Sequence, residues 1–222
     1  MKLSSKNRLM PRHADLFPND SLFHKLARTV CRAGVLPRKE LYEAWETARR
    51  VRRRYRGGRV VDMACGHGLL AHVMILLDNS SPHALAVDTH IPESAARLSR
   101  VLAGEWPRLE GRVQYLNKDL ADIELFSTDI VVSAHACGSL TDKIIDRALA
   151  ARARVAVLPC CHDLKTCPDG GLSNWMDAGL AVDAVRAVKL SSRGYEIHTA
   201  KIPDAITPKN RLLMGQHIPD AL

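Results

Sequence analysis

The sequence predicts an α/β protein built on a mostly parallel sheet. From Arg59 onward, short apolar segments alternate with helical patterns of about ten to fifteen residues, as in successive βαβ units. The first of these segments, VVDMACGHG from Val60, is an apolar strand that stops in a glycine turn and continues as a helix. A turn of this kind marks the edge at which open α/β sheets bind ligands.

Five strands are predicted in the parallel part of the sheet, over residues 59–64, 83–88, 111–117, 128–135 and 154–159. Helices are predicted over residues 68–78, 92–105, 140–151 and 173–191. Strands over 195–202 and 211–218 have no helix between them, so they are predicted to form an antiparallel pair. Two earlier helices, the second opened by Pro37 and ended by Gly57, form an extension. We therefore divide the chain into an N-terminal helical extension, residues 1–56, and a sheet domain, residues 57–222.

Composition narrows the class of protein. The 222 residues are 46% hydrophobic and 25% charged, ordinary values for a soluble globular chain. No stretch has the roughly 18–20 apolar residues that a membrane helix needs, and the first 20 residues lack the apolar core of a secretory signal. The six cysteines include no CxxC pair. These features predict a cytoplasmic protein without a disulfide framework or a membrane partner.

The charge of the chain predicts a polyanionic partner. The formal net charge is +8, and seven arginines fall within twelve residues between Ala48 and Arg59. A cluster of this kind, here called the Arg49–Arg59 cluster, is typical of RNA- or DNA-binding surfaces. The alternative is a solvated helix end, because arginine also complements the dipole at a helix C-terminus.

Acidic and glycine residues predict a nucleotide-like ligand at the strand ends. Gly66 and Gly68 let the backbone turn and approach a ligand. Asp88 ends the second strand, where a carboxylate can accept hydrogen bonds from ribose hydroxyls. Asp119, after the third strand, can receive an adenine amino group beside the Leu120 N–H. Ala71 stands where a dinucleotide fingerprint needs its third glycine, and no P-loop is present.

The ordered set of DxACGxG, Asp88 and Lys118-Asp119-Leu120 resembles class I S-adenosylmethionine-dependent methyltransferases. The resemblance implies a Rossmann-like seven-stranded methyltransferase sheet with a final antiparallel strand pair. It also implies S-adenosyl-L-methionine as the cofactor. The residues expected to bind it are Asp62, Ala64, Cys65, Gly66, His67, Gly68, Asp88, Asp119, Leu120 and His135.

Two further motifs follow the fourth and fifth strands. They read HACGSLTD from His135 and CCH from Cys160. This pair, together with the late TPKNRLLMG, resembles one branch of the class. The branch contains acceptor-stem tRNA 2′-O-methyltransferases, methyltransferase-like proteins and glutathione S-transferase C-terminal-domain-containing proteins. The resemblance covers roughly residues 37–217. The basic face of the chain predicts RNA, such as tRNA or rRNA, as the methyl acceptor.

Three chemistries remain open for the catalytic candidates His135, Cys160, Cys161 and His162. A histidine can act as general base or orient the nucleophile. A cysteine can act as a covalent nucleophile, as in pyrimidine C5 methylation. A zinc site could draw on these residues with Cys137 and Cys167, but adjacent cysteines do not readily share a tetrahedral ion, so no metal is predicted. Each cysteine taken singly can also be a small buried apolar residue.

For several other residues the sequence predicts a position but no chemical role. Lys39, Glu40 and Glu43 either border the cofactor pocket or face water. Asp183 and Arg186 are predicted to form a surface pair, and Trp175 is predicted to lie in the core.

Two alternative functions stand beside RNA methylation: methylation of a small molecule or protein, and a non-catalytic module that binds a partner. The sequence predicts no oligomeric state.

Overall fold

A computed structural model describes residues 7–219, and the outermost parts of the two predicted units, residues 1–6 and 220–222, lie outside the described residues. Seven strands form one sheet: β1 Val60–Met63, β2 Ala84–Asp88, β3 Val113–Asn117, β4 Ile130–Ser133, β5 Arg154–Val157, β6 Tyr195–Lys201 and β7 Arg211–His217. The longer helices are α1 Leu22–Ala33, α2 Arg38–Arg54, α3 Leu69–Leu77, α4 Ser94–Glu105, α5 Ser139–Ala151 and α6 Ala178–Ser191. Short 3-10 helices lie at Pro11–Leu16, Pro107–Leu109, Leu120–Asp122 and Leu172–Asn174.

The strands lie in the order β3-β2-β1-β4-β5-β7-β6. The first five are parallel, whereas β7 inserts between β5 and β6 and is antiparallel to both. The predicted α/β sheet with a final antiparallel pair is therefore confirmed. The chain passes from β3 across to β4, so the strand order reverses at β1 and β4. Ligands of open α/β sheets bind at the carboxyl ends of strands beside this reversal.

Two apolar layers cover the sheet. One contains residues of α1, α2 and α3 together with inward residues of β1 and β4, among them Leu26, Leu41, Val51, Met74 and Val132, all fully buried. The other contains α5 and the opposite faces of the same strands. Because the first layer is one continuous cluster, the N-terminal helices share their core with the sheet. The boundary predicted at residue 57 thus separates the N-terminal helices from the first strand of the sheet, and both sides of it belong to one core.

The largest difference from the predicted elements concerns α6. A helix was expected from residue 173, but α6 begins at Ala178, where the Asp177 carboxylate accepts a hydrogen bond from the Leu180 N–H at 2.9 Å. Such capping fixes a helix start. The preceding residues form a loop, and the Trp175 side chain is 85% exposed there. The prediction that Trp175 lies in the core is therefore wrong.

Among residues 7–219, no helix combines the length and the apolar character that crossing a bilayer requires.

Candidate functional site

The loop after β1 forms the base of the site. Ala64, Gly66 and Gly68 have positive φ angles of 58°, 53° and 72°. Glycine adopts such angles readily and alanine rarely does, so Ala64 is a strained residue at the end of the strand. The loop is fastened to β2, because the Gly66 N–H donates to the Asp88 carboxylate at 2.9 Å.

The two glycines of this loop serve different purposes. A side chain at Gly66 would meet no atom within 4 Å, so open space lies beside that residue. A side chain at Gly68 would come within 2.8 Å of the Tyr115 ring, whose hydroxyl donates to the His67 carbonyl at 2.9 Å. Gly66 therefore leaves room for a ligand, whereas Gly68 is required by its packing against Tyr115.

Asp62 lies beneath this loop. Its side chain is buried, and one carboxylate oxygen accepts a hydrogen bond from the Ala71 N–H in the first turn of α3 at 3.1 Å. Burial raises the pKa of Asp62 to about 8; the bond from Ala71 opposes this rise, and the charge of Asp88 adds to it. The group is therefore largely protonated at neutral pH.

Two hollows open on either side of Ala64 at the carboxyl ends of the strands. The first lies between α2, β1 and β4, and its walls include Glu40, Asp62, Cys65, His67 and His135. Its open volume is 30 Å³. With Ala64, five residues predicted to bind a cofactor thus meet here, and Glu40 lies at the pocket rather than on a purely solvated face.

The second hollow lies between the ends of β2 and β3 and the start of α5. Its walls include Asp88, Lys118, Asp119, Leu120 and Lys143, and its open volume is 120 Å³. The Asp119 carboxylate accepts a hydrogen bond from the Ala121 N–H at 2.8 Å, which fixes its position at the mouth. Because Ala64 lines both hollows, eight of the ten predicted cofactor residues border one groove, all but Gly66 and Gly68.

His135 follows β4 by two residues, lines the first hollow and faces Glu43 of α2. The Nε2 atom of His135 lies 3.8 Å from Oε2 of Glu43, which is almost fully buried and has no hydrogen-bond partner there among residues 7–219. Lys39 Nζ lies 3.5 Å from the other Glu43 oxygen. Glu43 is a functional candidate that the sequence left undecided, and its spacing of four from Lys39 on one helix face was the available signal.

The surroundings of this pair favour the uncharged form of each group. Burial raises the pKa of Glu43 to about 7, although Lys39 opposes the rise. Desolvation and then the Lys39 charge lower the pKa of His135 below its ordinary value. Since 40% of the His135 side chain stays exposed, solvent limits that lowering.

Three thiols meet beside His135. Cys137 follows β4, Cys160 and Cys161 follow β5, and their Sγ atoms all lie within 4.8 Å of one another. The sequence placed Cys137 in a motif but not among the catalytic candidates. Parallel neighbouring strands end at one edge of the sheet, which is the signal that could have joined it to the other two.

His162 lies apart from these groups, in a buried ion-pair network. Its Nε2 atom is 2.7 Å from the Asp183 carboxylate, which also accepts from Arg211 at 2.7 Å. Arg186 bonds Asp142 of α5 at 2.8 Å and the Gly138 carbonyl at 3.1 Å. Burial opposes ionisation of Asp183, but the bonds from His162 and Arg211 lower its pKa on balance.

The prediction of a surface pair at Asp183 and Arg186 is wrong, because the Arg186 side chain is 1% exposed and ties α5 to α6.

The Arg49–Arg59 cluster lies at the opposite edge of the sheet. It occupies the end of α2 and the approach to β1, whereas the hollows lie at the carboxyl ends of the strands. Six of its seven arginines lie within 4 Å of a carboxylate oxygen: Arg49, Arg50, Arg52, Arg54, Arg56 and Arg59. The Arg52 pair with Asp78, at 3.1 Å, is fully buried. Much of the cluster is therefore part of the fold.

Solved structures with the same fold are methyltransferases. An O-methyltransferase family protein from Burkholderia thailandensis matches with a TM-score of 0.53 and 17% identity over 98% of this chain, which spans 66% of that protein's length. An O-methyltransferase from Thermotoga maritima matches with a TM-score of 0.53 and 14% identity over 91% of this chain and 73% of its own. The B. subtilis tRNA methyltransferase TrmK matches with a TM-score of 0.51 and 15% identity over 77% of this chain and 65% of its own. No curated protein matches the chain.

The strand order, the glycine turn and the acidic strand ends define an S-adenosylmethionine-dependent methyltransferase domain. The family described as methyltransferase domain matches residues 39–166, more than half of the chain. The chain belongs to that family.

The residues at the groove fit the cofactor of this class. Open space lies beside Gly66, and Asp88 and Asp119 stand at the second hollow with carboxylates that suit hydroxyl and amino groups.

Proposed function

We propose that the chain transfers a methyl group from S-adenosylmethionine to RNA at the carboxyl edge of its sheet. The observation that carries this proposal is the groove on either side of Ala64, with acidic residues at both ends and His135 at its rim. When bound, the cofactor supplies an electrophilic methyl group. The chain's own residues have to hold it, orient the acceptor and take up the acceptor's proton.

Asp88 and Asp119 would hold the nucleoside portion in the second hollow. Asp88 keeps acceptor capacity for ribose hydroxyls, because the Gly66 and His90 N–H groups, at 2.9 and 3.3 Å, use one lone pair on each oxygen. Asp119, beside Leu120, would receive the adenine amino group. Asp62, Cys65 and His67 would border the amino-acid portion in the first hollow.

His135 is the group we propose to accept the proton. A neutral ring that carries its own proton on Nε2, toward Glu43, has Nδ1 as the acceptor. Glu43 then acts as a positioning residue that favours the imidazolium formed. Among the other catalytic candidates, His162 lies in its buried network.

Charge and motif resemblance support RNA as the acceptor. Lys118 and Lys143 are exposed at the second hollow, and the whole chain has a net charge of +8. The motifs from His135 and Cys160 resemble the branch that includes tRNA 2′-O-methyltransferases. TrmK, which has the same fold, methylates tRNA. Exposed members of the Arg49–Arg59 cluster would give RNA a second contact. They lie at the far end of α2, whose 17 residues span about 25 Å from the edge with the first hollow.

A small molecule or protein is the second candidate acceptor, and two observations favour it. The carboxylate pairs at six arginines reduce the positive charge that the cluster offers to a phosphate backbone. Two of the structural neighbours are O-methyltransferases whose descriptions name no RNA.

Calorimetric titration with S-adenosylhomocysteine tests the cofactor site. Wild-type protein should bind it, and Asp88→Asn should weaken binding at least tenfold, about 1.4 kcal/mol. Asparagine keeps an acceptor for the Gly66 N–H, so the loss reports on the ligand. Asp122→Asn, an exposed change in the next turn, is the control. No binding by the wild type would sink the enzyme proposal.

Transfer of a labelled methyl group to total RNA tests the acceptor. We expect label in RNA, and in His135→Ala a loss of rate much larger than any loss of S-adenosylhomocysteine binding. Label that enters only protein or small molecules would replace RNA by the second candidate. An undiminished rate in His135→Ala would remove His135 as the base.

A further inference from the structure

We infer that Cys137, Cys160 and Cys161 form a binding site for a thiophilic divalent cation of the zinc class. The site lies at the ends of β4 and β5, beside the groove. The inference does not depend on the methyl acceptor, and it adds a ligand that the fold of the domain does not require. It also reverses the expectation that the chain has no metal site.

The spacing of the sulfur atoms suits one metal ion. Sγ of Cys160 lies 3.0 Å from Sγ of Cys137 and 3.8 Å from Sγ of Cys161, and all three lie within 4.8 Å of one another. Zinc–sulfur bonds of about 2.3 Å place tetrahedral sulfur ligands about 3.8 Å apart. The Cys160–Cys161 distance matches this value and the Cys137–Cys160 distance is shorter, so a small movement of one side chain would complete the geometry.

The backbone lets the adjacent Cys160 and Cys161 share one ion. In an extended strand, Cys160 and Cys161 would point to opposite sides. Here they lie just beyond β5, where Cys161 forms an isolated bridge with Cys137. Both thiols therefore come to the same side as Cys137, and the bridge fixes the two segments side by side.

The buried network fixes the same two segments from behind. Arg186 bonds the carbonyl of Gly138, next to Cys137, and His162, next to Cys161, bonds Asp183. Thr141 also donates to the Ala136 carbonyl at 2.9 Å. The thiols are thus held by a rigid support, as metal ligands usually are. This gives His162 a role that does not require it to face the groove.

The surroundings leave one position of the ion open. Cys137 directly precedes the N-terminus of α5, a 13-residue helix whose dipole complements the negative charge of metal-bound sulfur. Cys137 and Cys161 are exposed, so solvent or a ligand can reach the ion. Three protein ligands with an open fourth position are the arrangement of accessible rather than closed zinc sites.

The test uses the full chain, freed of metal and kept reduced. Titration with Co²⁺ should give a thiolate-to-cobalt charge-transfer band that saturates at one ion per chain and disappears when Zn²⁺ is added. Cys160→Ser and Cys161→Ser should each weaken Co²⁺ binding by more than about 100-fold. Loss of a group that only supports a metal ligand costs at most about that much affinity, so a larger loss identifies a direct ligand. Cys31→Ala, in the core of α1, should bind as the wild type does.

Two further measurements keep the test decisive. Circular dichroism and melting of each serine variant separate loss of a ligand from loss of the fold. His162→Asn should lower Co²⁺ affinity by about tenfold as an outer support. Absence of the band, a band unchanged in Cys160→Ser, or a Cys137–Cys160 disulfide that persists in reductant would overturn the inference. S-adenosylhomocysteine binding, measured separately, distinguishes this failure from failure of the proposed enzyme.

Discussion

At the scale of single residues, Asp62 shows how burial sets a chemical property. Its carboxyl group lines the first hollow and holds a proton at neutral pH, because burial raises its pKa to about 8. The sequence placed Asp62 in the strand and at the cofactor, but it gave no indication of this protonation. Protonation depends on which groups cover the carboxyl, and those come from α3 and the end of β2 as well as from β1.

Binding of S-adenosylmethionine, a cation, should release a proton from Asp62. A positive charge brought into the first hollow favours the carboxylate and lowers its pKa. Calorimetry at pH 7 in buffers of different ionisation enthalpy should report the release of about one proton per ligand. Asp62→Asn should abolish the release, and an equal release in that variant would show that another group titrates.

The same pKa gives a stability prediction with a definite sign. The folded protein binds the Asp62 proton more tightly than the unfolded chain, so stability from this group falls as pH rises from about 4 to about 8. Asp62→Asn should flatten that part of the pH profile of unfolding by denaturant. A profile with the wild-type slope would count against Asp62 as its source.

Gly66 and Gly68 separate ligand access from packing. Gly66→Ala should weaken S-adenosylhomocysteine binding and lower stability by about 1 kcal/mol, the cost of a positive φ in alanine. Gly68→Ala carries the same backbone cost and also forces Tyr115 to move, so it should lower the melting temperature further. Thermal melts beside calorimetry distinguish the two, and equal losses of stability would contradict the packing role of Tyr115.

At the scale of elements, the sequence located every strand to within about two residues because apolar periodicity is a local signal. It failed at α6, where the helical pattern begins at residue 173 but the Asp177 cap sets the start. It failed again at Arg186, since two charges three apart on a helix look exposed until α5 is known to cover them. A local cap decided the first outcome, and a partner distant in sequence decided the second.

The Arg186 network should contribute more to stability than any surface pair. Arg186→Met leaves Asp142 and Asp183 without their shared partner, so it should lower the free energy of unfolding by about 3–5 kcal/mol. Lys189→Met, on the same helix, removes an exposed pair with Asp146 and should cost less than about 1 kcal/mol. Chemical denaturation of both variants checks the difference, and similar losses would argue against a buried network.

At the scale of the whole molecule, positive charge is divided between two edges of the sheet. The sequence predicted the Arg49–Arg59 cluster as the RNA surface. It could not show that carboxylates distant in the chain, such as Asp78, Asp129 and Glu196, pair with most of it. The lysines at the second hollow are too widely spaced to form a recognisable run. A charge pattern in the sequence therefore locates a basic region, but it does not show how many of its arginines lack a carboxylate partner.

RNA binding at both edges should appear as salt dependence. Replacement of Lys118 and Lys143 by Glu, and separately of Arg53 and Arg56, should each reduce the slope of log affinity against log salt by about 1 per lost phosphate contact. Fluorescence anisotropy over a salt series measures this slope. Slopes unchanged in both double variants would remove RNA as a partner of these surfaces.

The position of β7 also has a consequence for the order of folding. The chain makes β5 long before β7, and β6 just before it, yet β7 lies between them in the sheet. Until residues 211–217 are synthesised, β5 keeps an open edge and β6 has no strand beside it. During that interval the nascent chain presents a template for pairing with other chains, so this half of the protein is where chaperone dependence and aggregation of partly made chains should concentrate.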